Sequence, residues 1–456
     1  SSPILQNLKK RGLIEQITDE VSLNDKLLKK EKLSLYCGAD PTAPSLHIGN
    51  LLPLMVLLHF NLRGHDIVGL VGGATGAVGD PSGRSSARTA MRDDVRNDNT
   101  EKIKMQLSNF LKTGVKIAKS RNPGFPRKGD TQIVNNHLWW KDVNMLQFLA
   151  DYGPHIRVGT MLARDSVKSR LDTTSGLGFN EFTYQILQAF DFHYLNKTLG
   201  VNIEVGGNDQ YGNIIAGIDL ITRIGKQDLN HQKFKNHVYG LTVPLLTTSD
   251  GQKFGKSAGN AIFIDKDLTS SYELFQFLIN VEDDDVGKFL YKFSFLPIDL
   301  INNLLERHFE NKRLRIAQKF LAIELCDLIH GDGCGLNNLI ISDFLFSDND
   351  NNKFPTSEVI KAFKEQKLLL QMTSDELDQI EIYKLLTNIK SKNQSNNNLY
   401  TNKDLKRLIS GGGVYIGFKR EQFKSLDDKI DLKKHLLDDK LLIIRLGKKD
   451  YHLIEL

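Results

Sequence analysis

The chain has 456 residues, 40% hydrophobic and 25% charged, with a formal net charge of +5. That length calls for two or three domains with buried cores, the composition is that of a soluble globular protein, and the longest apolar run, Leu51 to Phe60, is far too short to cross a membrane. Three cysteines, Cys37, Cys326 and Cys334, with no C-x-x-C spacing, argue against a zinc site or a disulfide framework and for a reducing compartment.

In chain order, the sequence opens Ser-Ser-Pro without a start methionine or a signal-peptide pattern, which implies that an N-terminal segment has been removed. The first 280 residues alternate β-rich and amphipathic helical runs, the pattern of an α/β layer structure with a mainly parallel sheet. "LSLYCGAD", "DIVGLVGGATGAVGD" and "VNIEVGGNDQ" each read as a strand running into small or acidic residues. In open α/β sheets, ligands bind beyond the carboxyl ends of the strands at a topological switch point, so three chemical loops are expected at one rim.

His47, Ile48, Gly49 and Asn50 open the helix "LLPLMVLLHFNLRG". A helix N-terminus favours anions and Gly49 permits close approach of a flat ligand, although a histidine in that place is, taken alone, more often a cap. In "EFTYQILQAFD", Tyr184, Gln188 and Asp191 fall at i, i+4 and i+7 on one helical face. Phe182, Ile186, Leu187 and Phe190 surround them, so the polar stripe is expected to line a cavity. "KFGKS", Lys253 to Ser257, lies in the glycine-punctuated loop "TTSDGQKFGKSAGN". Two lysines three apart on a mobile loop can close over a polyphosphate and neutralise charge as pyrophosphate leaves, whereas a lysine pair by itself is usually solvated surface.

From 281 to 345 the pattern turns helical, and "SDNDNNK" (347–353) and "KSKNQSNNN" (390–398) read as polar loops. The tail combines a basic helix, "TNKDLKRLIS", with short strands and turns in "GGGVYIG" and "DKLLIIRLGKKDYHLIEL". Its last 56 residues hold 13 Lys/Arg against 9 Asp/Glu, which is usually a solvated face, with a polyanionic partner as the sharper alternative. The absence of G-x-x-x-x-G-K-[ST] and of G-x-G-x-x-G disfavours P-loop and dinucleotide-binding enzymes.

H-I-G-N after a strand, paired with K-F-G-K-S far downstream, resembles the two signatures of class I aminoacyl-tRNA synthetases. "YCGADPTAPSLHIGN", "GGATGAVGDPSGR", "NEFTYQILQAFDF" and "VGGNDQYGN" together resemble, in order and spacing, the active-site segments of the bacterial-type tyrosyl-tRNA synthetases. "LKRLISGGGVYIG" and "IIRLGKKDYHLI" resemble the S4-like RNA-binding domain at that family's C-terminus. The resemblance implies a Rossmann-like parallel-sheet catalytic domain over 1–280, an α-helical anticodon-binding domain and linker over 281–376, and a small α+β S4-like domain over 377–456. It implies activation of tyrosine by ATP to tyrosyl-adenylate plus pyrophosphate, then transfer to the 3′-terminal adenosine of tRNA(Tyr). ATP enters as substrate with Mg²⁺; no tightly bound cofactor and no protein metal site are expected. A homodimer is implied, with "DYGPHIRVGTMLARDSV" resembling its interface segment, and no membrane.

Carried over by residue, the resemblance gives catalysis to His47, Asn50, Lys253 and Lys256. Tyr36 and Asp191 hold the phenolic hydroxyl, and Asp80, Tyr184 and Gln188 the ammonium, with Gln210 also in the tyrosine site. Cys37, Gly38, Asp40, Thr42, Gly49, Gly207, Asp209, Phe254 and Ser257 join His47, Lys253 and Lys256 around ATP or the adenylate, with Arg84 and Arg88 as supplementary cations. Asn50 stands where many relatives carry histidine, and Glu204 where many carry glutamine. Lys403, Lys406, Arg407, Arg445, Lys448 and Lys449 are the expected RNA contacts. Two other readings stay open: an RNA-binding or intron-splicing factor on the same scaffold, and tryptophan activation, which Tyr36 and Asp191 disfavour. The expected compartment is the mitochondrial matrix, favoured by inserts such as "KSRNPGFPRKG", with a bacterial cytoplasm as the alternative.

Overall fold

A computed structural model describes residues 2–87, 89–227, 237–257, 260–346, 354–392, 400–448 and 450–456. Its first sheet contains Gln16–Ile17 (β1), Ser34–Ala39 (β2), Asp66–Val71 (β3), Thr131–Asn135 (β4), Ile203–Gly207 (β5) and Tyr239–Val243 (β6), in spatial order β1-β6-β5-β2-β3-β4. Every pair is parallel except β1 with β6. The near-continuous burial of β3, β5 and β6 is what a sheet covered on both faces requires. Strand order reverses between β2 and β5, which opens a crevice at their carboxyl ends. In the β2–β5 register Tyr36 is the partner of Glu204, so the two side chains share one face of the sheet.

The apolar run after the H-I-G-N segment forms α1, Leu51–Asn61, with all 11 residues buried. A helix apolar on every side belongs inside a core, and α1 lies against β2, β3, β5 and β6. Each of its buried aliphatic and aromatic side chains contributes about 1.5–3 kcal/mol. Asn61 closes the helix by donating to the carbonyls of His65 and Asp130 at 3.1 and 3.2 Å. The long helix α2, Asp93–Arg121, buries Ile103, Leu107, Phe110 and Leu111. Beyond it, α3 (Phe179–Leu199) and α4 (Tyr211–Gln227) pack on one another.

Ahead of residue 281 lies α5 (Ser271–Ile279), and the helical stretch expected from there contains α6 (Asp283–Phe293), α7 (Ile298–Glu310) and α8 (Ile316–His330). Helix α6 packs on α8 and α1, and Arg121 at the end of α2 pairs with Glu324 and Asp327 of α8 at 2.7 and 2.5 Å.

The chain divides into two compact units, Ser1–Asp332 and Gly333–Leu456. In the second, Leu369–Gln371 (β7), Val414–Ile416 (β8), Glu421–Phe423 (β9), Leu441–Leu446 (β10) and Asp450–Glu455 (β11) form a sheet in order β9-β8-β10-β11-β7. Leu385, Leu405 and Ile409 from its helices close the core with Val414, Leu442, Ile444 and Ile454. The basic helix is Asn402–Ser410, started by a reciprocal cap between Thr401 and Asp404. The polar segment 347–353 and most of 390–398 lie outside the described residues.

Near the start of α3, Arg170 and Glu181 form a two-pronged ion pair at 3.1 and 2.8 Å, with side chains only 1% and 4% exposed. Removing one partner strands the other charge, so Glu181→Ala is expected to lower unfolding free energy by about 3–5 kcal/mol. In urea melts, replacing Arg170 and Glu181 together by Met and Leu is expected to lower it less.

Candidate active site

A cleft of about 610 Å³ opens at the carboxyl ends of β2 and β5. It is lined by Tyr36, Cys37, Gly38, Asp40, Thr42, His47, Gly49, Asn50, Asp80, Arg84, Tyr184, Gln188, Asp191, Gly207, Asp209, Gln210, Lys253 and Phe254. Residues from five separate sequence segments thus converge on one cleft. Arg88 lies outside the described residues, and Lys256 and Ser257 are described in their backbone, which pairs with Asn260–Ala261.

The two signature segments are joined through their main chains. The Ile48 amide donates to the Ile262 carbonyl at 3.1 Å, and the Ile262 amide donates to the Gly255 carbonyl at 2.7 Å. Phe254 anchors its loop: the ring is 7% exposed, stacked on Phe289 at 3.9 Å and in contact with Phe277 at 5.1 Å. Lys253, one residue earlier, is exposed beside the cleft. His47 precedes a 3-10 turn, Ile48–Asn50, that leads into α1, so the H-I-G-N segment is a tighter turn ahead of the α-helix. The Asn50 side chain accepts from the His47 amide at 3.0 Å and thereby caps that turn. A Cβ at residue 49 would come within 2.9 Å of His47 Cε1, so a side chain there would push the imidazole from its place over the backbone.

At the inner end, Asp191 is 2% exposed. Its Oδ1 accepts from the indole N–H groups of Trp139 and Trp140, both at 2.8 Å, and its Oδ2 accepts from Asn136 Nδ2 at 3.0 Å. Burial outweighs these three donors and pushes the carboxyl up to about 7. Glu204 is also buried and also pushed up to about 7 by desolvation. Its Oε1 accepts from Gln188 Nε2 at 2.8 Å. Glu204 Oε2 and the Tyr36 hydroxyl influence one another electrostatically, yet each lacks a well-directed hydrogen bond. Burial raises the Tyr36 phenol well above its ordinary range and the Cys37 thiol to about 12, so both stay neutral at physiological pH and Cys37 is no nucleophile.

Between the signatures and this inner end lies a polar network. Asp40 accepts from the Tyr184 hydroxyl at 2.6 Å and from Thr75 Oγ1 at 2.7 Å. Gly72 makes room for it, since a Cβ there would fall 1.8 Å from Asp40 Oδ1. Asp80 accepts from the Ser82 amide and Gln210 Nε2, both at 2.9 Å. Asn213 Nδ2 faces Gln188 Oε1 at 3.0 Å and Asp80 Oδ1 at 3.4 Å. Thr75, Asn136, Trp139, Trp140 and Asn213 were not among the expected site residues. The adjacent tryptophans directly after a β-rich run, "TQIVNNHLWW", were a usable signal, whereas Thr75 and Asn213 sit in glycine-rich segments where short polar residues also serve as turn formers.

In the second unit, Lys403, Lys406 and Arg407 are exposed on the helix Asn402–Ser410, with Lys406 Nζ 5.3 Å from the Tyr383 ring centre. The Arg445 guanidinium lies over Tyr415 and Tyr451, at 5.6 and 5.7 Å, and its Nε donates to the Gly447 carbonyl at 3.0 Å. Lys448 is exposed and Lys449 lies outside the described residues. Among the described residues no group of three His, Cys, Asp or Glu is arranged to hold a metal, and no helix is long and apolar enough to cross a membrane.

Residues 28–340 match the family of tRNA synthetases class I (W and Y). The chain is 45% identical to the mitochondrial tyrosine–tRNA ligase of Saccharomyces cerevisiae, over 100% of this chain and 89% of that protein. It is 41% identical to the tyrosine–tRNA ligase of Staphylococcus haemolyticus, over 100% and 99%. A C-terminally truncated mitochondrial tyrosyl-tRNA synthetase of Aspergillus nidulans superposes with a TM-score of 0.69 at 36% identity, covering 75% of this chain and 94% of that one.

The two buried carboxyls have a consequence for stability. Their folded pKa values, about 7, exceed the ordinary values of 3.8 and 4.5. The folded state therefore holds their protons more tightly, and the stability they contribute is complete below the unfolded values and lost as pH rises through about 7. Urea melts of ligand-free protein are expected to show stability falling less between pH 4.5 and 7 in Asp191→Asn than in the native chain.

Proposed function

The chain belongs to the tyrosyl-tRNA synthetases of class I, and we propose that the cleft at the β2–β5 switch point is where it activates tyrosine. As a tyrosine–tRNA ligase it joins tyrosine to tRNA at the expense of ATP. The observation that carries the assignment is the polarity of the cleft: buried carboxyls and phenols lie inside, and His47, Arg84 and Lys253 stand around the same opening. A tyrosine phenol entering the inner end donates to Asp191 and accepts from Tyr36. A phenylalanine brings no partner for the buried Tyr36 hydroxyl and no further donor to Asp191, at a desolvation cost. Asp80, Tyr184 and Gln188 offer oxygens to the ammonium, beside Gln210.

In the first step the tyrosine carboxylate forms a bond to the ATP α-phosphorus as the bond to the β-phosphate oxygen breaks. His47 stabilises the charge on the α-phosphate, Asn50 fixes the turn that carries it, and Lys253 and Lys256 take the departing pyrophosphate, with Arg84 and Arg88 adding positive charge. Cys37, Gly38, Asp40, Thr42, Gly49, Gly207, Asp209, Phe254 and Ser257 shape the nucleotide end. Mg²⁺ would enter with ATP as part of the substrate; among the described residues no group of three His, Cys, Asp or Glu is arranged to hold it. Positioning and electrostatics suffice for such a step, with no covalent nucleophile. In the second step a terminal ribose hydroxyl of the tRNA attacks the tyrosyl carbonyl and AMP leaves.

The tRNA is held by an S4-like module carrying Lys403, Lys406, Arg407, Lys448 and Lys449, with Arg445 positioned by its two tyrosines, and by an anticodon-binding helical region. The functional layout 1–280, 281–376 and 377–456 thereby cuts across the compact units, because α6–α8 belong to the first and β7 to the second sheet. A homodimer is proposed on the apolar residues Met145 (67% exposed), Leu146 (76%) and Val158 (61%), carried on successive short helices around the 151–167 segment. Identity of 45% to a mitochondrial relative, against 41% to a bacterial one, supports the mitochondrial matrix over a bacterial cytoplasm.

Pyrophosphate exchange with ATP tests the active site. Exchange is expected with tyrosine and not with phenylalanine or tryptophan, to be lost or relaxed in Asp191→Ala, and to slow about 10²–10³-fold in His47→Ala with tyrosine affinity retained. An unaffected rate in His47→Ala removes that residue from the reaction. For assembly, Leu146→Asp is expected to turn a dimer into a monomer in sedimentation; a native chain that sediments as a monomer at micromolar concentration rules the dimer out.

A further inference from the structure

Glu204 is the one buried carboxylate of the cleft that the reaction as described leaves without work. It is 3% exposed, lines the cleft and sits in register with Tyr36 across β2 and β5. Its Oε1 accepts from Gln188 Nε2 at 2.8 Å. The other end of the Gln188 amide is equally committed: Oε1 accepts from Asn213 Nδ2 at 3.0 Å. Asn213 in turn presents that same nitrogen to Asp80 Oδ1, Ser82 Oγ and Gln210 Oε1. Acceptors therefore stand at both ends of the chain Glu204–Gln188–Asn213–Asp80, and the amides between them can satisfy those acceptors in one orientation only.

From this arrangement we infer that Glu204 is a positioning residue for tyrosine binding, acting through Gln188: it captures the amide N–H so that the amide oxygen stays turned to the amino end of the pocket. A Gln188 flipped by half a turn would point an N–H donor at an ammonium, which has nothing to accept it with. A carboxylate suits this work because it accepts at both oxygens and offers no competing N–H. Burial raises the Glu204 carboxyl to about 7, and in its ionised form it can only accept from Gln188.

The inference rests on the reading of the cleft as the tyrosine site, and the test separates the two. Tyrosine dissociation constants from titration calorimetry, and kcat and KM from pyrophosphate exchange, are measured for the native chain, Glu204→Ala, Glu204→Gln, Gln188→Ala and the Glu204→Ala/Gln188→Ala double variant. Loss of one buried hydrogen bond is expected to weaken tyrosine binding about tenfold in Glu204→Ala, with kcat and the KM for ATP within about twofold of native. Glu204→Gln, which still offers an amide oxygen to Gln188, is expected to restore most of the affinity. In the Gln188→Ala background, Glu204→Ala is expected to cost nothing further, because residues acting as a unit are non-additive. If Glu204→Ala fails to fold, Glu204→Met replaces it in the same comparisons. Native affinity in Glu204→Ala, equal impairment in Glu204→Gln, or additive losses in the double variant each overturn the inference while leaving the site intact. A native chain that binds no tyrosine overturns the reading of the cleft and the inference with it.

Discussion

Parallel pairing of β2 with β5 is the constraint on which the rest of the first unit depends. These strands are far apart in sequence, and their register at Leu35–Ile203 and Tyr36–Glu204 does three things together. It closes the sheet over α1, whose burial stabilises the fold. It reverses the direction in which loops leave the sheet, and so creates the crevice. It also places a phenol and a carboxyl side by side on the floor of that crevice. A one-residue slip of either strand would put the two side chains on opposite faces, so the hydrophobic demand for burial also enforces the arrangement of polar groups.

The cleft places groups of different electrostatic character around one opening. Desolvation raises the Asp191 and Glu204 carboxyls to about 7 although both receive hydrogen bonds, and it holds Tyr36, Tyr184 and Cys37 neutral. His47 is half-buried, and Lys253 and Arg84 are exposed. An amino acid with a phenol tail and an anionic triphosphate chain make opposite demands, and the proposed division answers each with side chains of suitable charge. The loop bearing Lys253 is tied down at Phe254, whose ring belongs to the helical core of α5 and α6. Cation placement at the mouth is thus linked to hydrophobic packing behind it.

Much of this was legible in the residues. The three strand-to-loop segments, the i, i+4, i+7 stripe of α3 and the two signature loops all lie on the cleft because each follows from a local period or a local turn. What could not be read was whatever depends on tertiary partners. Asn50 caps a 3-10 turn through its side chain, Asp40 binds Tyr184, and Arg445 lies over two tyrosines, and none of these contacts has a sequence period. Asn136, Trp139 and Trp140 reach Asp191 from the end of β4, more than 50 positions earlier in the chain. Glu204 read as a departure from a familiar pattern, and its role emerged only from what its oxygens touch.

The three donors on Asp191 carry a consequence of another kind. Trp139 and Trp140 are the only tryptophans among the 456 residues, and both indole N–H groups end on the same oxygen of the same carboxylate. Indole emission from this protein therefore originates at a single place, the inner end of the cleft, and is sensitive to the charge and solvation there. The molecule contains its own optical probe: light absorbed at the red edge of the aromatic band reports on the inner pocket with no label attached, and every other part of the chain is dark to it.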